Sequence, residues 1–343
     1  MKALVLEKKQ SLSMRDFPIE ESVGPDEVRI QIKACGICGS DIHYYTHGAI
    51  GDFVVHEPMI LGHEASGVIT EIGLHVKDLK IGDRVCMEPG IPNPKSKESL
   101  SGNYNIDPEV KFWATPPIQG CLRENVVHPA MFCIKLLDNM SFSEGAMMEP
   151  LAIGLEAAKK ARIEPGDNAL VVGCGTIGIM VALSALAAGC SKVFISDVKQ
   201  PKLDIAAGYP NLIPINTNKE NLENAILQYT DGYGVNHIFE ASGYAPVYPD
   251  FFRCACPGCN VILVGIPGEP VLIDVAFLQG RGISIETVFR YVNEFDKAVA
   301  LVSAGKIDVK RLISKTFTFE KSVEAYEFAA ANHPDVVKVM IEL

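Results

Sequence analysis

The feature that most constrains the fold is a glycine-rich turn between an apolar strand and a helix. The apolar residues 169–172 run directly into Gly173-Cys174-Gly175-Thr176-Ile177-Gly178, which opens the predicted helix 176–188. This G-x-G-x-x-G spacing puts a glycine where a tight turn, a close phosphate and close helix packing each need one. The free N–H groups at the helix start favour a pyrophosphate. The pattern predicts a dinucleotide-binding unit with a parallel sheet.

Asp197 indicates which dinucleotide such a unit would take. It ends the second predicted strand of the unit, after Gly178 and the helix that follows it. A carboxylate there can accept hydrogen bonds from the adenosine ribose and would repel a 2′-phosphate. NAD is therefore favoured over NADP, although Lys199 and Lys202 lie nearby. The alternative interpretation is a glycine-rich turn that binds no nucleotide.

The sequence pattern changes near residue 150 and predicts two domains. Short strands are predicted before that point, at 1–6, 27–34, 67–72 and 84–87. After it, helices at 151–161, 176–188, 222–229 and 294–304 accompany strands at 169–172, 193–196, 237–240 and 261–264. This alternation predicts an α/β fold, with a β-rich catalytic domain over 1–150 and 290–343 and a doubly wound domain over 151–289. The strand 337–341 could return to the first domain.

Composition restricts the partners of the chain. Its net charge of -11 argues against nucleic acid, which requires a basic face, and against an anionic membrane surface. No apolar run reaches the roughly 18 residues of a membrane span, and the N-terminus lacks the apolar core of a signal peptide. The 10 cysteines are scattered along the chain. We therefore expect a reducing, cytoplasmic setting.

A second chemical signature lies in the first predicted domain. The stretch 36–43, GICGSDIH, contains Cys38 and is followed by the adjacent pair His63 and Glu64. A thiolate, an imidazole and a carboxylate suit zinc, and three protein ligands plus an open position form the catalytic arrangement. Each residue taken alone has an ordinary interpretation as a buried or surface side chain. Their combination ahead of a dinucleotide unit favours a catalytic zinc site.

Other polar groups would complete such a site. Asp41 is the natural partner for the free N–H of His63. Ser40 and His43 would carry the proton of an alcohol to solvent. Glu149, in Met148-Glu149-Pro150, could face the metal directly or through water. Zinc would bind the substrate oxygen at its open position, and hydride would pass to the nicotinamide.

Taken together, these motifs resemble the medium-chain zinc dehydrogenases over essentially the whole chain. The resemblance rests on GICGSDIHYY, LGHEASG, the Met-Glu-Pro triplet, and GCGTIG with Asp197. Within that family the chain is most similar to the polyol branch, the sorbitol and xylitol dehydrogenases. The stretches carrying this similarity are 43–45 with 48–53, 112–117 and 288–291. The resemblance implies a GroES-like catalytic domain, a Rossmann NAD-binding domain, and a homodimer or, preferably, a homotetramer.

The resemblance also implies roles for individual residues. Zinc would be held at the positions matching Cys38, His63 and Glu64, with Glu149 beside it. The polar side chains that a polyol needs would be among Ser40, Tyr44, Trp113, Thr115, Glu149, Arg290 and Tyr291. The expected cofactor-binding residues are Gly173, Gly175, Thr176, Ile177, Gly178, Asp197, Lys202, Val264, Val288, Phe289 and Arg290.

Some features of the sequence differ from the family pattern or could suggest additional sites. Many relatives carry a structural zinc on a lobe with four cysteines, but the matching stretch 88–105 has none. We therefore predict one catalytic zinc per chain and no structural zinc. Two closely spaced cysteine groups could suggest a further metal or redox site. We interpret Cys254, Cys256 and Cys259 as core-packing residues. Cys35, which is close to the metal donor Cys38 in sequence, is interpreted in the same way. The basic run 159–162 is interpreted as the solvated end of a helix.

The leading hypothesis is reversible, NAD-linked oxidation of a secondary alcohol of a polyol. Xylitol, giving D-xylulose, is the first choice, and sorbitol or L-iditol, giving a 2-ketose, is the second. A sugar-phosphate or L-threonine-type zinc dehydrogenase is an alternative enzyme on the same scaffold. A non-catalytic dinucleotide-binding protein is the alternative of another class. The stereochemistry of the polyol is beyond what the pattern determines.

Overall fold

The computed structural model describes residues 1–343, and the chain divides into two units. The first comprises Met1–Glu149 and Phe295–Leu343, and the second comprises Pro150–Glu294. The first unit is therefore discontinuous. The boundary predicted after residue 289 comes too early, because residues 292 and 294 bind Lys159 of the helix that opens the second unit.

The first unit is rich in short strands. Its strands are β1 Lys2–Lys8, β2 Ser11–Asp16, β3 Glu27–Gly36, β4 Ala49–Ile50, β5 Phe53–Val54, β6 Met59–Ile60, β7 Glu64–Ile72, β8 Arg84–Met87, β9 Gly90–Ile91, β10 Lys111–Phe112, β11 Asn125–Pro129, β12 Cys133–Lys135, β19 Ile313–Thr318 and β20 Lys338–Glu342. Its helices are α1 Gly39–His47, α2 Lys97–Leu100, α3 Phe142–Ala146, α10 Phe295–Ser303 and α11 Ser322–Ala330. This content agrees with the predicted β-rich domain.

The main sheet of the first unit is organised around β3. The strand order is β12-β8-β7-β3-β20-β19, and β11 also pairs with β3. Along β3 the side chains of Val28, Ile30 and Ile32 are buried at alternate positions, as expected where one sheet face covers a core. The C-terminal strand β20 pairs antiparallel with β3, joining Met340 to Gly36. The return of the C-terminus, which the sequence left open, is confirmed.

The second unit is a parallel α/β domain. Its strands are β13 Asn168–Val172, β14 Lys192–Asp197, β15 Leu212–Asn216, β16 Val235–Glu240, β17 Ala255–Leu263 and β18 Ser284–Thr287. Its helices are α4 Met148–Ala161, which begins in the last residues of the first unit, α5 Thr176–Ala188, α6 Gln200–Ala206, α7 Leu222–Tyr229, α8 Tyr248–Phe251 and α9 Val275–Arg281.

All six strands of the second unit are parallel, in the order β15-β14-β13-β16-β17-β18. The strand order therefore reverses between β13 and β16, which is where such folds bind their ligands. Helix α5 is apolar around its circumference and its middle is buried, so packing rather than a polar face holds it in place. The predicted doubly wound fold is confirmed.

Short 3₁₀ turns connect several of these elements, at Tyr104–Ile106, Ala130–Phe132, Ala245–Val247, Phe252–Cys254, Lys310–Leu312 and Phe319–Lys321. None of the helices combines the length and the apolar character needed to cross a bilayer.

Candidate metal and dinucleotide sites

Three donor side chains meet in the first unit. The Cys38 thiol sulfur, a ring nitrogen of His63 and a carboxylate oxygen of Glu64 lie within 4.8 Å of one another. Strand pairing produces this cluster, because β3 ends just before Cys38 and β7 begins at Glu64, directly opposite Gly36. His63 and Glu64 are buried and Cys38 is half-buried. A soft thiolate with an imidazole and a carboxylate at this spacing fits zinc.

Asp41 links the two segments that carry these donors. Helix α1 begins directly after Cys38, and the Asp41 carboxylate accepts the N–H of Cys38 at 3.2 Å and the N–H of Gly62 at 3.2 Å. The Nδ1 atom of His63 lies 3.5 Å from the same carboxylate, at the outer limit of a hydrogen bond. A carboxylate at this position can orient the ring, and the role of Asp41 as the partner of His63 stays a prediction.

The charges around His63 favour the protonated imidazole. Burial acts to lower the pKa of His63, but the charges of Asp41 and Cys38 and the hydrogen bonds to them outweigh burial and raise that pKa well above its usual range. A metal that binds this ring must displace the proton, because only a neutral imidazole is a ligand. Metal affinity at this site should therefore fall in acid.

The Glu64 carboxylate has a second partner, which the sequence analysis did not identify. The ammonium group of Lys338 donates to Oε1 and Oε2 of Glu64 at 2.7 and 2.6 Å, and to the carbonyl oxygen of Ile37 at 3.2 Å. Burial acts to lower the pKa of Lys338, but the charges of Glu64 and Cys38 outweigh it and the pKa is raised. The only signal in the sequence was a lysine inside the apolar run 336–341.

The other groups predicted beside the metal lie at different positions. Glu149 is buried, but it is not one of the three donors within 4.8 Å, so the structure does not bring it into the direct ligand set. Its charge is nevertheless close enough to raise the pKa of Lys338. Ser40 is half-buried and His43 is exposed, one turn apart on α1, while Tyr44 on the same helix is buried.

An aromatic ring packs against the metal cluster. The rings of Phe112 and His63 are 5.6 Å apart, whereas Trp113 is buried against His128 with ring centroids 4.5 Å apart. Phe112 ends β10 and Trp113 follows it, so the two rings point in different directions, and the predicted substrate contact of Trp113 stays a prediction. Thr115 is half-buried, and its N–H donates to the carbonyl of Phe112 in a tight turn.

A carboxylate organises the lobe that carries no cysteines. Asp107 is 2% exposed, and its carboxylate accepts the backbone N–H groups of Asn93 and Glu109. The Asn93 amide in turn donates to the Glu109 carboxylate. These hydrogen bonds join the two ends of the lobe, so packing around Asp107 gives this segment its shape.

The glycine-rich turn of the second unit has the geometry that its spacing predicts. Gly173 has φ +102°, and a Cβ there would lie 2.9 Å from the Ser242 backbone nitrogen. A Cβ at Gly178 would lie 1.9 Å from the carbonyl oxygen of Gly173, so only glycine allows helix and strand to pack this closely. Gly175 immediately precedes α5 and has nothing within 4 Å on its Cβ side. Open space at this helix start fits an approaching phosphate.

A cavity of about 650 Å³ lies beside this turn, within the second unit. The side chains and backbone around it include Gly173, Asp197, Val198, Thr217, Asn218 and Ser242. The Asp197 carboxylate accepts the N–H of Cys174 at 2.8 Å and that of Lys199 at 2.9 Å, which fixes it against the glycine-rich turn. The cavity therefore joins a phosphate cradle to a carboxylate, as a dinucleotide requires.

The other residues predicted to bind the cofactor differ in how close they lie to the cavity. Thr176 and Ile177 lie in the first turn of α5. At the carboxyl ends of the strands, the N–H of Val264 donates to the carbonyl oxygen of Glu240, and the N–H of Val288 donates to that of Leu263. Lys202 is half-buried and does not line the cavity. Burial and the charge of Lys199 lower the pKa of Lys202, against the opposing charges of Asp197 and Cys174.

The segment after β18 carries the last predicted residues. The Arg290 guanidinium lies 4.8 Å from the Phe289 ring centre, and Tyr291 is buried. Arg290 and Asn293 both adopt positive φ, at 57° and 56°, a conformation that costs a non-glycine residue about 1 kcal/mol or more. These residues belong to the second unit, so the sequence boundary that put Arg290 and Tyr291 in the first domain is corrected.

The remaining cysteines pack as the sequence analysis expected. Cys254, Cys256 and Cys259 are buried, and burial raises the pKa of each thiol, that of Cys254 to about 12. Cys35 is buried with its sulfur 3.8 Å from that of Cys121, behind the strand end that carries Cys38. Thiols held neutral in this way are poor ligands and poor nucleophiles.

Comparison with known proteins agrees with both sites. Residues 24–138 match the family "Alcohol dehydrogenase GroES-like domain", and residues 176–304 match "Zinc-binding dehydrogenase". A D-xylulose reductase of Morganella morganii is 53% identical over 331 residues, covering 96% of this chain and 98% of that protein. A sorbitol dehydrogenase of Arabidopsis thaliana is 39% identical over 327 residues, covering 94% and 90%.

Solved structures extend the similarity to the whole fold. An oxidoreductase/dehydrogenase of unknown specificity from Escherichia coli superposes with a TM-score of 0.93 at 31% identity, covering 99% of this chain and 98% of that one. The similarity therefore includes both units.

Proposed function

We propose, from the premise that this chain belongs to the polyol branch of the zinc-containing medium-chain dehydrogenases, that it reversibly oxidises a secondary alcohol of a small polyol to a 2-ketose. Two observations carry the proposal. One is the 53% sequence identity to a D-xylulose reductase over nearly the full length of both chains. The other is the cluster formed by Cys38, His63 and Glu64. Xylitol, giving D-xylulose, is the first candidate, and sorbitol or L-iditol is the second.

Zinc and a nicotinamide dinucleotide are the cofactors of this family, the metal polarising an alcohol oxygen and the nicotinamide accepting hydride. We propose NAD rather than NADP because Asp197 is fixed beside the glycine-rich turn. We also propose one zinc per chain, which the lobe organised by Asp107 supports.

The side chains of the first unit have distinct proposed roles. Cys38, His63 and Glu64 would hold the metal, with Asp41 orienting His63. Ser40 is half-buried and His43, one turn further along α1, is exposed, so the pair could pass a proton from substrate to solvent. Glu149, buried and outside the ligand cluster, would act on the metal through water.

The proposed substrate contacts stay predictions. Tyr44 and Thr115 are offered as polar partners of the polyol in the first unit, and Arg290 and Tyr291 in the second. Trp113, whose ring packs on His128, also stays a predicted contact, and the Phe112 ring beside His63 is offered as an apolar neighbour.

Two further properties are proposed. The exposed apolar side chains of Ile266, Leu272 and Val275 lie in one short segment and support assembly into a homodimer or homotetramer. All 10 cysteines are free thiols, which supports a reducing, cytoplasmic setting.

The decisive experiment compares initial rates with NAD across xylitol, sorbitol, galactitol, L-threonine and ethanol. We expect xylitol or sorbitol to be the best substrate, NADP to be a poor cofactor, and a zinc chelator to abolish turnover. Ethanol or L-threonine as best substrate would overturn the polyol proposal. Tight NADH binding without turnover of any alcohol would favour the non-catalytic alternative.

The metal cluster is tested separately by Cys38→Ser. We expect this variant to lose zinc and turnover while it still binds NADH, because the two sites lie in different units. Cys133→Ser is the matched control, since its thiol lies outside the metal cluster and donates to the carbonyl oxygen of Pro129, which a serine hydroxyl can also do. Full activity of a zinc-free Cys38→Ser protein would exclude the proposed mechanism.

A further inference from the structure

The carboxylate of Glu64 lies between the metal donors and a buried lysine. Both of its oxygens are within 2.7 Å of Lys338 Nζ, and one of them is also part of the 4.8 Å donor cluster. Glu64 is 0% exposed and Lys338 is 3% exposed, so water does not screen the pair. Nothing in the reaction proposed above uses this lysine.

The strand order of the main sheet brings Glu64 and Lys338 together. Lys338 opens β20, which runs beside β3, and β3 in turn runs beside β7, which begins at Glu64. The Glu64 side chain therefore crosses over β3 to reach Lys338. It crosses at Gly36, where a Cβ would lie 2.1 Å from Glu64 Oε2. Only glycine at that position leaves room for the carboxylate.

A lysine so placed competes with a metal for the same carboxylate. A carboxylate has about four lone-pair sites, so it can accept from an ammonium group and still bind a cation. Its charge is nevertheless shared, and a buried Lys–Glu attraction is strong because the local dielectric is low. A ligand whose negative charge is neutralised in this way holds a metal more weakly than a free carboxylate would.

We propose that Lys338 is a positioning residue that holds Glu64 partly away from the metal, making Glu64 a weak and displaceable ligand and keeping a coordination position available to substrate. This inference rests on the proposed zinc site. Charge supports it, since Lys338 offsets one of the two negative charges that Cys38 and Glu64 bring to the metal.

The test is Lys338→Met, which keeps most of the side-chain volume and removes the charge. We expect zinc to bind at least about tenfold more tightly in competition with a chelator, because the full charge of Glu64 becomes available to it in a low-dielectric site. In the cobalt(II)-substituted protein without substrate, the visible spectrum should shift toward a closed four-coordinate site. The KM for polyol should rise more than kcat falls.

Lys338→Arg and Glu64→Gln complete the design. Lys338→Arg keeps the charge and should leave zinc affinity within about threefold of the wild type. In a Glu64→Gln background, the Lys338→Met change should no longer tighten zinc binding, since the carboxylate it releases is gone. Weaker or unchanged zinc binding in Lys338→Met would overturn the proposal and leave Lys338 a structural partner only.

The effect of Lys338→Met on zinc binding can be measured even if the metal-free variant is less stable than the wild type. An unpaired buried carboxylate should lower the melting temperature of the metal-free Lys338→Met protein, and zinc should restore it by a larger shift than in the wild type. A zinc-induced shift no larger than that of the wild type would contradict the proposal. Absence of polyol turnover in the wild type would refute the proposed function and leave these binding measurements interpretable.

Discussion

At the residue scale, the metal site depends on one fully buried carboxylate. Asp41 binds the backbone at Cys38 and Gly62 and contacts His63, so it links both ligand segments. We expect Asp41→Asn to weaken zinc binding about 10- to 100-fold, because the amide loses the charge that orients and polarises His63. Chelator competition measures this affinity.

The control for that change is Asp52→Asn, which alters an exposed acid in the turn between β4 and β5 and should leave zinc affinity unchanged. Asp41→Asn should still fold, since its amide oxygen can accept one of the two backbone hydrogen bonds. Wild-type zinc affinity in Asp41→Asn would show that the His63 contact at 3.5 Å has no energetic role.

Residue types predicted three donors that the structure brings together, but they did not predict the surroundings of those donors. Cys38, His63 and Glu64 could be selected because their chemistry suits zinc and because a dinucleotide motif follows. Lys338 could not be paired with Glu64, since that contact depends on which strands lie on either side of β3. The contact of Phe112 with His63 could not be predicted either, because only the fold shows which neighbouring ring faces His63.

At the element scale, a buried ionic network fixes the strained segment after β18. Lys159 binds Glu156, Glu294 and the carbonyl oxygen of Val292, all within the second unit. Glu156 and Glu294 are buried, whereas the Lys159 side chain is 45% exposed. The basic run interpreted as a solvated helix end therefore includes a lysine that pairs with two buried acids.

We expect Lys159→Met to destabilise the second unit by about 1–3 kcal/mol, less than the loss of a fully buried pair because Lys159 is partly solvated. Hydrogen exchange and limited proteolysis should accelerate within residues 288–294. Lys160→Met is the matched control, because the neighbouring lysine takes no part in the network. Equal exchange rates in the two variants would contradict this role.

The success of element prediction followed the strength of the local signal. Helices α5 and α7 and strand β8 match their predicted bounds, because turn residues or caps delimit each of them. Helix α1 is not among the predicted elements, since its apolar content is low and its start depends on Asp41 accepting the N–H of Cys38. Strands β11 and β12 were missed because their pairing with β3 and β8 is non-local.

At the scale of the whole molecule, one buried histidine should impose a pH dependence on stability. His128 is 0% exposed between Trp113 and Phe132, and its Nε2–H donates to the carbonyl oxygen of Glu88 at 2.8 Å. Burial lowers the pKa of His128 to about 4, partly opposed by that hydrogen bond. The native protein therefore keeps this imidazole neutral, while an unfolded chain protonates it near pH 6.5.

The sign of the effect follows from proton uptake. Between about pH 6.5 and pH 4 the unfolded chain binds a proton that the native state excludes, so stability falls as the pH falls through this range. The contribution of His128 is present above pH 6.5 and amounts to roughly 3 kcal/mol lost by pH 4, since each pKa unit corresponds to about 1.4 kcal/mol. Other groups also titrate here, so only a comparison between variants isolates it.

His128→Gln makes that comparison, because glutamine can still donate to Glu88 and does not titrate. We expect its free energy of unfolding, measured by denaturant titration without added cofactor or zinc, to fall less steeply with acid than that of the wild type. His75→Gln changes an exposed histidine and should reproduce the wild-type slope. Parallel curves for His128→Gln and the wild type between pH 6.5 and pH 4 would mean that the folded protein accommodates the charged imidazole, and that the packing of Trp113 and Phe132 around it opens in acid.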